Sequence, residues 1–347
     1  MEIKVENSLN QEADAQASSR KEDHIDMAFN SAVDANSADD RFFYEPMIAS
    51  HPGKEMDMSF CFRGKTMQYP LWVSSMTGGT EKANTINHNL ARMCGELGLG
   101  MGLGSCRQLL YDDKRLHEFD IRAQMKDQPL LINLGVAQVE ELLKVNETYR
   151  ISQLINNLQA GGLIIHVNPL QEWLQPEGDR FKVSSLETVK ALLDVADYPV
   201  IVKEVGQGFG KQSLIELLKL PLAAIDLAGY GGTNFSKLEL LRSDPLRLNS
   251  FERMFKVGHT CTEMLHLINE YCDSNASDIK VGHIIFSGGI KNFLDGYYLL
   301  EQSKLPCFYA QASSFLKHAM DYDALLKHTH YQIEGLKMAK AFLRIKH

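Results

Sequence analysis

Glycines, hydroxyls and cations recur where short apolar segments of the sequence end. Two such places are rich in glycine: the segment AAIDLAG runs into Tyr230–Asn234 (YGGTN), and the segment HIIFSGG runs into Ile290 and Lys291. Glycine lets backbone N–H groups approach an anion, and a helix that follows adds the dipole of its N-terminus. Glycines also serve tight turns. Because both loops also carry a hydroxyl or a cation, we interpret them as a phosphate-binding cradle.

A second polar cluster is the segment HVNPLQE, from His166 to Glu172. His166 and Asn168 are two residues apart in a strand-like segment, so both point to the same side. A lone histidine at a strand end is usually structural. Here Gln171, Glu172 and the polar segment QPEGDR follow it, which favours a functional site. Glu172 suits Mg²⁺, which takes one or two carboxylates together with substrate phosphates; the alternative is a solvent-exposed glutamate.

Two further motifs leave alternatives open. The glycines of Gly98–Gly104 alternate strictly, so the run lacks the spacing of a dinucleotide fingerprint. We expect all four on one side of a strand, with room for a planar ring beside it; close packing of the strand on a helix is the alternative. Arg20 and Lys21 lie one helical turn from His24, a pattern usually found on solvated surfaces. It gains interest because the remaining site calls for an anion.

Strands and helices that alternate along the chain would position these residues. Eight apolar runs are too short for helices and are typical of buried parallel strands. Between them lie stretches with helical periodicity, such as 184–196, whose leucines share a face behind a serine cap. The predicted strands are 71–75, 99–105, 129–135, 162–168, 199–205, 223–229, 283–289 and 306–310, and the predicted helices are 84–97, 139–144, 151–159, 184–196, 212–218 and 292–301.

Eight strands alternating with helices over about 240 residues predict a (β/α)8 TIM barrel, with a doubly wound sheet as the second choice. In such a barrel the active site lies at the C-terminal ends of the strands, where the polar clusters fall. The spacing breaks between strands six and seven, where 251–272 has helical periodicity, and we interpret this as an insertion of one or two helices. We expect a mobile tail (1–18) and a single domain (19–347), divided into an N-terminal extension (19–70) with a β-hairpin over 55–70 that closes one end, a barrel core (71–315) and C-terminal helices (316–347).

Composition bounds the class of function. The 347 residues are 44% hydrophobic, enough for a large core, and a net charge of -8 argues against a protein that coats nucleic acid. Apolar runs fall short of the roughly 20 residues that a membrane helix needs. The N-terminus lacks the apolar region of a signal peptide, and six cysteines without a C-x-x-C pair predict free thiols. We expect a cytoplasmic protein with a small-molecule substrate and neither a nucleic-acid nor a membrane partner.

Taken together, these motifs resemble the type 2 isopentenyl-diphosphate isomerases. Each glycine motif alone also occurs in other flavin-dependent barrels, but the combination is specific, and it runs in family order from residue 20 to about 315. The motifs are Arg20-Lys21-x-x-His24-Ile25, Ser75–Gly79 (SMTGG), Gly98–Arg107, His166–Glu172 with QPEGD, Val202–Gly206 (VKEVG), Ala228–Asn234 (AGYGGTN) and Ser287–Ile290 (SGGI).

The resemblance implies an FMN- and Mg²⁺-dependent enzyme that interconverts isopentenyl and dimethylallyl diphosphate. It further implies a 1,3-allylic proton shift with reduced flavin as acid and base, NADPH as the source of reduction, and a homo-oligomer, either a tetramer or an octamer. By motif, Gln171 and His166 would be catalytic and Glu172 would hold Mg²⁺. Gln171 cannot titrate, so it would orient substrate or relay a proton. FMN would be held by Met76, Thr77, Gly78, Ser105, Asn133, Lys203, Thr233, Gly289, Ile290, Lys291, Ala310 and Gln311, and substrate by Arg20, Lys21, His24, Ser105, Arg107, His166, Asn168 and Gln171.

The sequence departs from the family pattern at three places. Cys106 stands where glutamine is usual, and Lys291 replaces the usual arginine, so a bidentate phosphate contact becomes a point charge. The eighth strand lacks the usual glycines near Ala310 and Gln311. Two other functions stay open: an FMN-dependent 2-hydroxy-acid oxidase, which would need a strand-end histidine and arginine, and a flavin-binding protein without activity. The HVNPLQE segment disfavours the first.

Overall fold

The computed structural model describes residues 19–53, 56–75 and 80–346. These residues form two compact units, one comprising the described residues up to Phe43 together with Lys346, the other running from Tyr44 to Ile345. We call the second the barrel unit. The predicted mobile tail over 1–18 lies outside the described residues, and a single domain over 19–347 stays a prediction.

The first unit is small and solvent-exposed. Its helix α1 covers 19–27, and a 3-10 turn follows at Ala35–Ser37. Asp39 binds the Arg41 guanidinium through both carboxylate oxygens, at 2.8 and 2.6 Å. Strand β1 spans Phe42–Tyr44. The unit's three candidate substrate residues, Arg20, Lys21 and His24, all lie on α1 and are exposed.

Eight parallel strands of the barrel unit close into a barrel in their chain order. The predicted TIM barrel is therefore confirmed, and the doubly wound sheet is wrong. Strand register places His166 beside Gly135 and Lys203, and Lys203 beside Asp226. The barrel strands are β4 (Leu71–Val73), β5 (Gly100–Ser105), β6 (Leu130–Gly135), β7 (Leu163–His166), β8 (Val200–Lys203), β9 (Ala224–Asp226), β10 (Ile284–Phe286) and β11 (Cys307–Gln311).

Helices follow the barrel strands, and all six predicted ones are present. Ser184 caps its helix as expected, in a reciprocal pair of hydrogen bonds with Glu187. None of the described helices combines the length and hydrophobicity needed to cross a bilayer. The helices are α2 (Glu81–Leu97), α3 (Arg122–Met125), α4 (Val136–Lys144), α5 (Tyr149–Asn157), α6 (Pro169–Leu174), α7 (Ser185–Leu193), α8 (Lys211–Leu218), α9 (Phe235–Leu241), α10 (Pro245–Phe251), α11 (Cys261–Asn275), α12 (Phe293–Gln302), α13 (Ser313–Leu316) and α14 (Tyr322–Phe342), and strand β12 (Leu343–Ile345) follows α14.

The insertion between β9 and β10 holds α9 and α10 ahead of α11, so the expected extra helices are present. Most of the helical periodicity over 251–272 belongs to α11, and the stretch is interrupted, because α10 ends at Phe251 and α11 begins only at Cys261. The break has a backbone cause: His259 N–H donates to the Gln207 carbonyl at 2.7 Å, and the His259 carbonyl accepts from Tyr230 N–H at 2.8 Å. These bonds tie the break to the loops after β8 and β9.

The predicted hairpin is present as β2 (Phe60–Phe62) and β3 (Lys65–Met67), joined by Arg63 and Gly64, both with positive φ. Phe62 and Met67 are fully buried against the barrel interior, and the Phe62 ring lies 5.8 Å from that of Trp72. Phe62 also lies 5.1 Å from the ring of His283, which immediately precedes β10. The hairpin therefore closes the end where strands begin, and the site must lie at the other end.

The alternating glycines divide between two roles. All four glycines were expected on the strand, but Gly98 lies outside it. Gly98 ends α2 with φ +70°, because helix termination uses the left-handed conformation that glycine adopts freely. Gly100 lies on β5, where a Cβ would lie 2.1 Å from the Trp72 indole. The planar ring beside this part of the strand is thus the chain's own tryptophan. Of the four glycines, only Gly104 lines the cavity at the C-terminal ends of the strands.

Candidate active site

A cavity of about 400 Å³ lies at the C-terminal ends of the barrel strands. Three lysines line it, and no aspartate or glutamate occurs among its described lining residues. Such a cavity suits an anionic ligand. Eleven of the predicted cofactor and substrate residues line it: Ser105, Asn133, His166, Gln171, Lys203, Thr233, Gly289, Ile290, Lys291, Ala310 and Gln311.

Other candidates lie elsewhere. Arg107 is half exposed and pairs with Asp179, while Asn168 is buried, does not line the cavity and donates a hydrogen bond to Glu172. Met76, Thr77 and Gly78 lie outside the described residues, and Arg20, Lys21 and His24 belong to the first unit. Cys106 is fully buried, and burial raises the pKa of its thiol to about 12. All six cysteines are free, as predicted.

His166 stands at the end of β7 with a defined protonation state. Its Nδ1 lies 2.6 Å from Asn133 Oδ1, so Nδ1 carries a proton and Nε2 is left as an acceptor. Burial, and then the charge of Lys203, lowers the pKa of His166 to about 4. Gly135 makes room for the imidazole, since a Cβ there would lie 2.9 Å from Nε2. The cavity therefore receives a neutral histidine at neutral pH.

Lys203 brings a positive charge into the cavity from β8. Its Nζ donates to the Glu204 carbonyl at 3.1 Å and lies 3.5 Å from the Asp226 carboxylate. Asp226 is 1% exposed, accepts a hydrogen bond from the Ser287 hydroxyl and does not line the cavity. The carboxylate thus holds the ammonium from behind, and the surface that faces the cavity is cationic.

Both interpretations of the two glycine-rich loops apply, because their glycines are needed for tight packing and their main chain also lines the cavity. Gly288 has φ +80°, and a Cβ there would lie 2.2 Å from the Gly229 carbonyl oxygen, so glycine is required by loop packing. Gly232 approaches the other loop in the same way, since its Cβ would lie 2.9 Å from Gly289 N. Both Gly232 and Gly289 line the cavity, so the close packing also brings main chain to the ligand.

Gln171 is held at both ends of its amide. Its Oε1 accepts from Asn168 Nδ2 at 3.1 Å, and its Nε2 donates to Glu239 Oε1 at 3.1 Å. Glu239 is 6% exposed and belongs to the inserted helix α9, where Arg242 Nη1 donates to it at 2.7 Å. The inserted helix α9 therefore helps to fix which way the Gln171 amide points.

Glu172 already accepts two hydrogen bonds. Asn168 Nδ2 donates to Oε1 at 2.9 Å, and Asp179 N–H donates to Oε2 at 2.8 Å. Among the described residues no group of three histidines, cysteines or carboxylates gathers to hold a metal. A single carboxylate suits a Mg²⁺ ion that keeps waters and takes its other ligands from phosphates. Metal binding at Glu172 stays a prediction.

Comparison with known proteins decides the family. No family model matches the chain. The isopentenyl-diphosphate delta-isomerase of Rickettsia typhi is 34% identical over 282 residues, which are 80% of this chain and 79% of the relative. That of Rickettsia felis is 34% identical over 325 residues, 92% of this chain and 90% of the relative. The chain belongs to the isopentenyl-diphosphate delta-isomerases.

Solved structures agree on the fold. A flavocytochrome b2 double mutant with pyruvate bound has a TM-score of 0.60 at 14% identity, covering 87% of this isomerase and 72% of that chain. A mandelate oxidase mutant with an FMN adduct has a TM-score of 0.54 at 11% identity, covering 88% of each chain. At these identities the likeness concerns the barrel alone.

Sequence reasoning missed two residues of this isomerase's site. Glu239 lies in an ordinary helical pattern, and its only sequence signal was the i,i+3 spacing to Arg242, which is typical of a surface pair. Lys317 follows α13 and lines the cavity, although it lies beyond the last recognised motif. Together with Lys291, it supplies positive charge near β11, the eighth strand of the barrel, where the usual glycines are missing.

Proposed function

We propose that the protein interconverts isopentenyl and dimethylallyl diphosphate by a 1,3-allylic proton shift, with FMN, Mg²⁺ and NADPH as the reductant. The observation that carries this proposal is a cavity, in a member of this family, that is lined by lysines and the oriented Gln171 amide and, among the described residues, by no carboxylate. A cytoplasmic location, a tetrameric or octameric assembly and the absence of a nucleic-acid partner stay predictions.

The residues present fit FMN. The cavity volume lies within the range of small-molecule sites, and glycine main chain lines the side where a phosphate would be held. Lys291 and Lys317 line the cavity, and no carboxylate of the described chain lies within ion-pair distance of either ammonium. When bound, FMN would supply the acid and base chemistry, and Lys203 would stabilise negative charge on its reduced ring.

Residues of the segment His166–Glu172, which begins at the end of β7, would act on the substrate. Neutral His166 offers Nε2 to a hydrogen-bond donor and its Nδ1 proton only to Asn133. Gln171 would orient the substrate or relay a proton by hydrogen bonding, because an amide does not titrate. Arg107, with Arg20, Lys21 and His24, would bind the diphosphate, and Glu172 would hold its Mg²⁺.

Turnover by the holoenzyme tests the proposal. Protein reconstituted with FMN and Mg²⁺ and reduced with NADPH should convert isopentenyl to dimethylallyl diphosphate, and Glu172→Gln should abolish the Mg²⁺-dependent part of the rate. The isomerase proposal fails if the wild-type protein binds no flavin, or binds it and does not turn over. Bleaching of the flavin by lactate or glycolate would identify a hydroxy-acid oxidase instead.

A further inference from the structure

Asp179 connects two of the residues assigned above to the diphosphate and its metal. Its Oδ2 accepts from Arg107 Nη1 at 3.0 Å and from Gln138 Nε2 at 2.9 Å, and its N–H donates to Glu172 Oε2 at 2.8 Å. We propose that Asp179 is a positioning residue that holds Arg107 and Glu172 in place for a diphosphate–Mg²⁺ unit. This inference rests on the proposed function.

The Arg107–Asp179 pair is poorly suited to stabilising the fold. Their side chains are 50% and 34% exposed, and pairs of that exposure contribute only about 0–1 kcal/mol. The position of the Asp179 carboxylate is nevertheless fixed by Gln138, which donates to it. Gln138 is itself held, because it is 4% exposed and its Oε1 accepts from Gly135 N–H at 3.0 Å. Asp179 is thereby tied to the end of β6. We conclude that its use is to orient Arg107.

Holding Arg107 in this way leaves it able to bind an anion. A guanidinium has five N–H donors in a rigid fork, and the Asp179 side chain takes one nitrogen, Nη1. No other hydrogen bond to this guanidinium is made within the described residues, so its remaining donors can make the paired hydrogen bonds that guanidinium forms with phosphate oxygens. A freely rotating arginine would lose rotamer entropy when it bound, and the anchored one loses less.

The Glu172 side of the network is fixed by main chain. Gly178 packs so tightly that a Cβ there would lie 2.0 Å from the Glu172 carbonyl oxygen. Arg180 Nη1 donates to the same carbonyl at 2.7 Å. The segment 178–180 therefore folds directly onto Glu172, and this fold brings the Asp179 N–H to the carboxylate. One short segment thus holds both the proposed anion ligand and the proposed metal ligand.

Binding of inorganic diphosphate with Mg²⁺ to the FMN holoenzyme, measured by titration calorimetry, tests the proposal. Asp179→Ala should raise Kd about tenfold, while FMN content stays unchanged and kcat at saturating isopentenyl diphosphate changes less than about twofold. Asp179→Asn should give a smaller increase, because its amide oxygen can still accept from Arg107. In an Arg107→Ala background, Asp179→Ala should add less than about twofold, since it acts through Arg107.

Glu147→Ala is the matched control. It removes the carboxylate from a similarly exposed pair with Arg150, at 2.8 Å, that makes no hydrogen bond to Arg107 or Glu172 within the described residues, and Kd should not change. Equal binding by wild type and Asp179→Ala overturns the inference alone, as does a loss of stability or kcat without a change in Kd. A wild-type holoenzyme that neither binds diphosphate nor turns over overturns the proposed function as well. If Asp179→Ala does not fold, Asp179→Asn is measured instead, both alone and combined with Arg107→Ala. The inference then stands or falls on the same change in Kd and its dependence on Arg107.

Discussion

Replacing Glu239 should slow isomerisation far more than it weakens substrate binding. The carboxylate is 6% exposed and accepts the hydrogen bond that orients Gln171. A hydrogen bond to a charged group contributes about 1.5–3 kcal/mol. If that energy is lost in the transition state, kcat falls about 10- to 150-fold in Glu239→Ala. Glu239→Gln keeps an oxygen for Gln171 but loses the charge, so its kcat should lie between.

The assay is the initial rate of dimethylallyl diphosphate formation by the reduced holoenzyme over a range of substrate concentrations, at a temperature well below unfolding of every variant. Glu252→Ala serves as the control, because it removes a carboxylate from an exposed pair with Lys256 in the same insertion. A Glu239→Ala enzyme with kcat within twofold of wild type would refute the argument that this carboxylate orients Gln171. An increase in KM with unchanged kcat would refute it equally.

Three further outcomes follow from the site and its loops. Lys317→Ala should weaken FMN binding about three- to tenfold in a fluorescence titration and leave riboflavin binding unchanged, whereas Lys327→Ala, outside the cavity, should change neither. Gly288→Ala should lower the free energy of unfolding by at least about 2 kcal/mol in urea denaturation, even without cofactor, because of its φ and its contact with Gly229. The pKa of His166 is lowered from 6.5 to about 4, so between those pH values the unfolded state binds more protons than the folded state. The contribution of His166 to the free energy of unfolding should therefore rise with pH across that window, by at most about 3 kcal/mol, and be constant above it. Denaturation of His166→Gln and of wild type over this pH range measures the contribution.

The barrel could be predicted from sequence because buried parallel strands are short apolar runs. The run 129–135 became Leu130–Gly135, and the other strands fell within one to three residues of their predicted ends. Helix starts were less accurate: α2 begins at Glu81, before the predicted 84, because its first turn is polar and its signal is the Thr80 cap. Apolar periodicity also could not show the break before Cys261, which is made by backbone bonds between loops.

Site residues at strand ends could be predicted for a related reason. Barrel geometry alone brings Asn133, His166 and Lys203 to one mouth, so their position along the chain was enough. Glu239 comes from an inserted helix, and Asp179 from a loop whose fold depends on Gly178. Their roles depend on which side chain they meet in three dimensions, and no spacing in the sequence records that.

Three carboxylates near the site share one feature, which would help an acidic chain to bind the proposed anions. Asp226 lies behind Lys203, Asp179 holds Arg107, and Glu239 holds the Gln171 amide, yet none of the three carboxylates lines the cavity. Asp226 and Glu239 each hold a donor that lines the cavity, whereas Arg107, which Asp179 holds, lies outside it. An anion in the cavity would therefore meet the N–H groups of Lys203 and Gln171, and no carboxylate among the described residues that line the cavity. Moving one carboxylate to the cavity wall would lose more affinity than deleting it, because deletion removes orientation while relocation adds repulsion at close range.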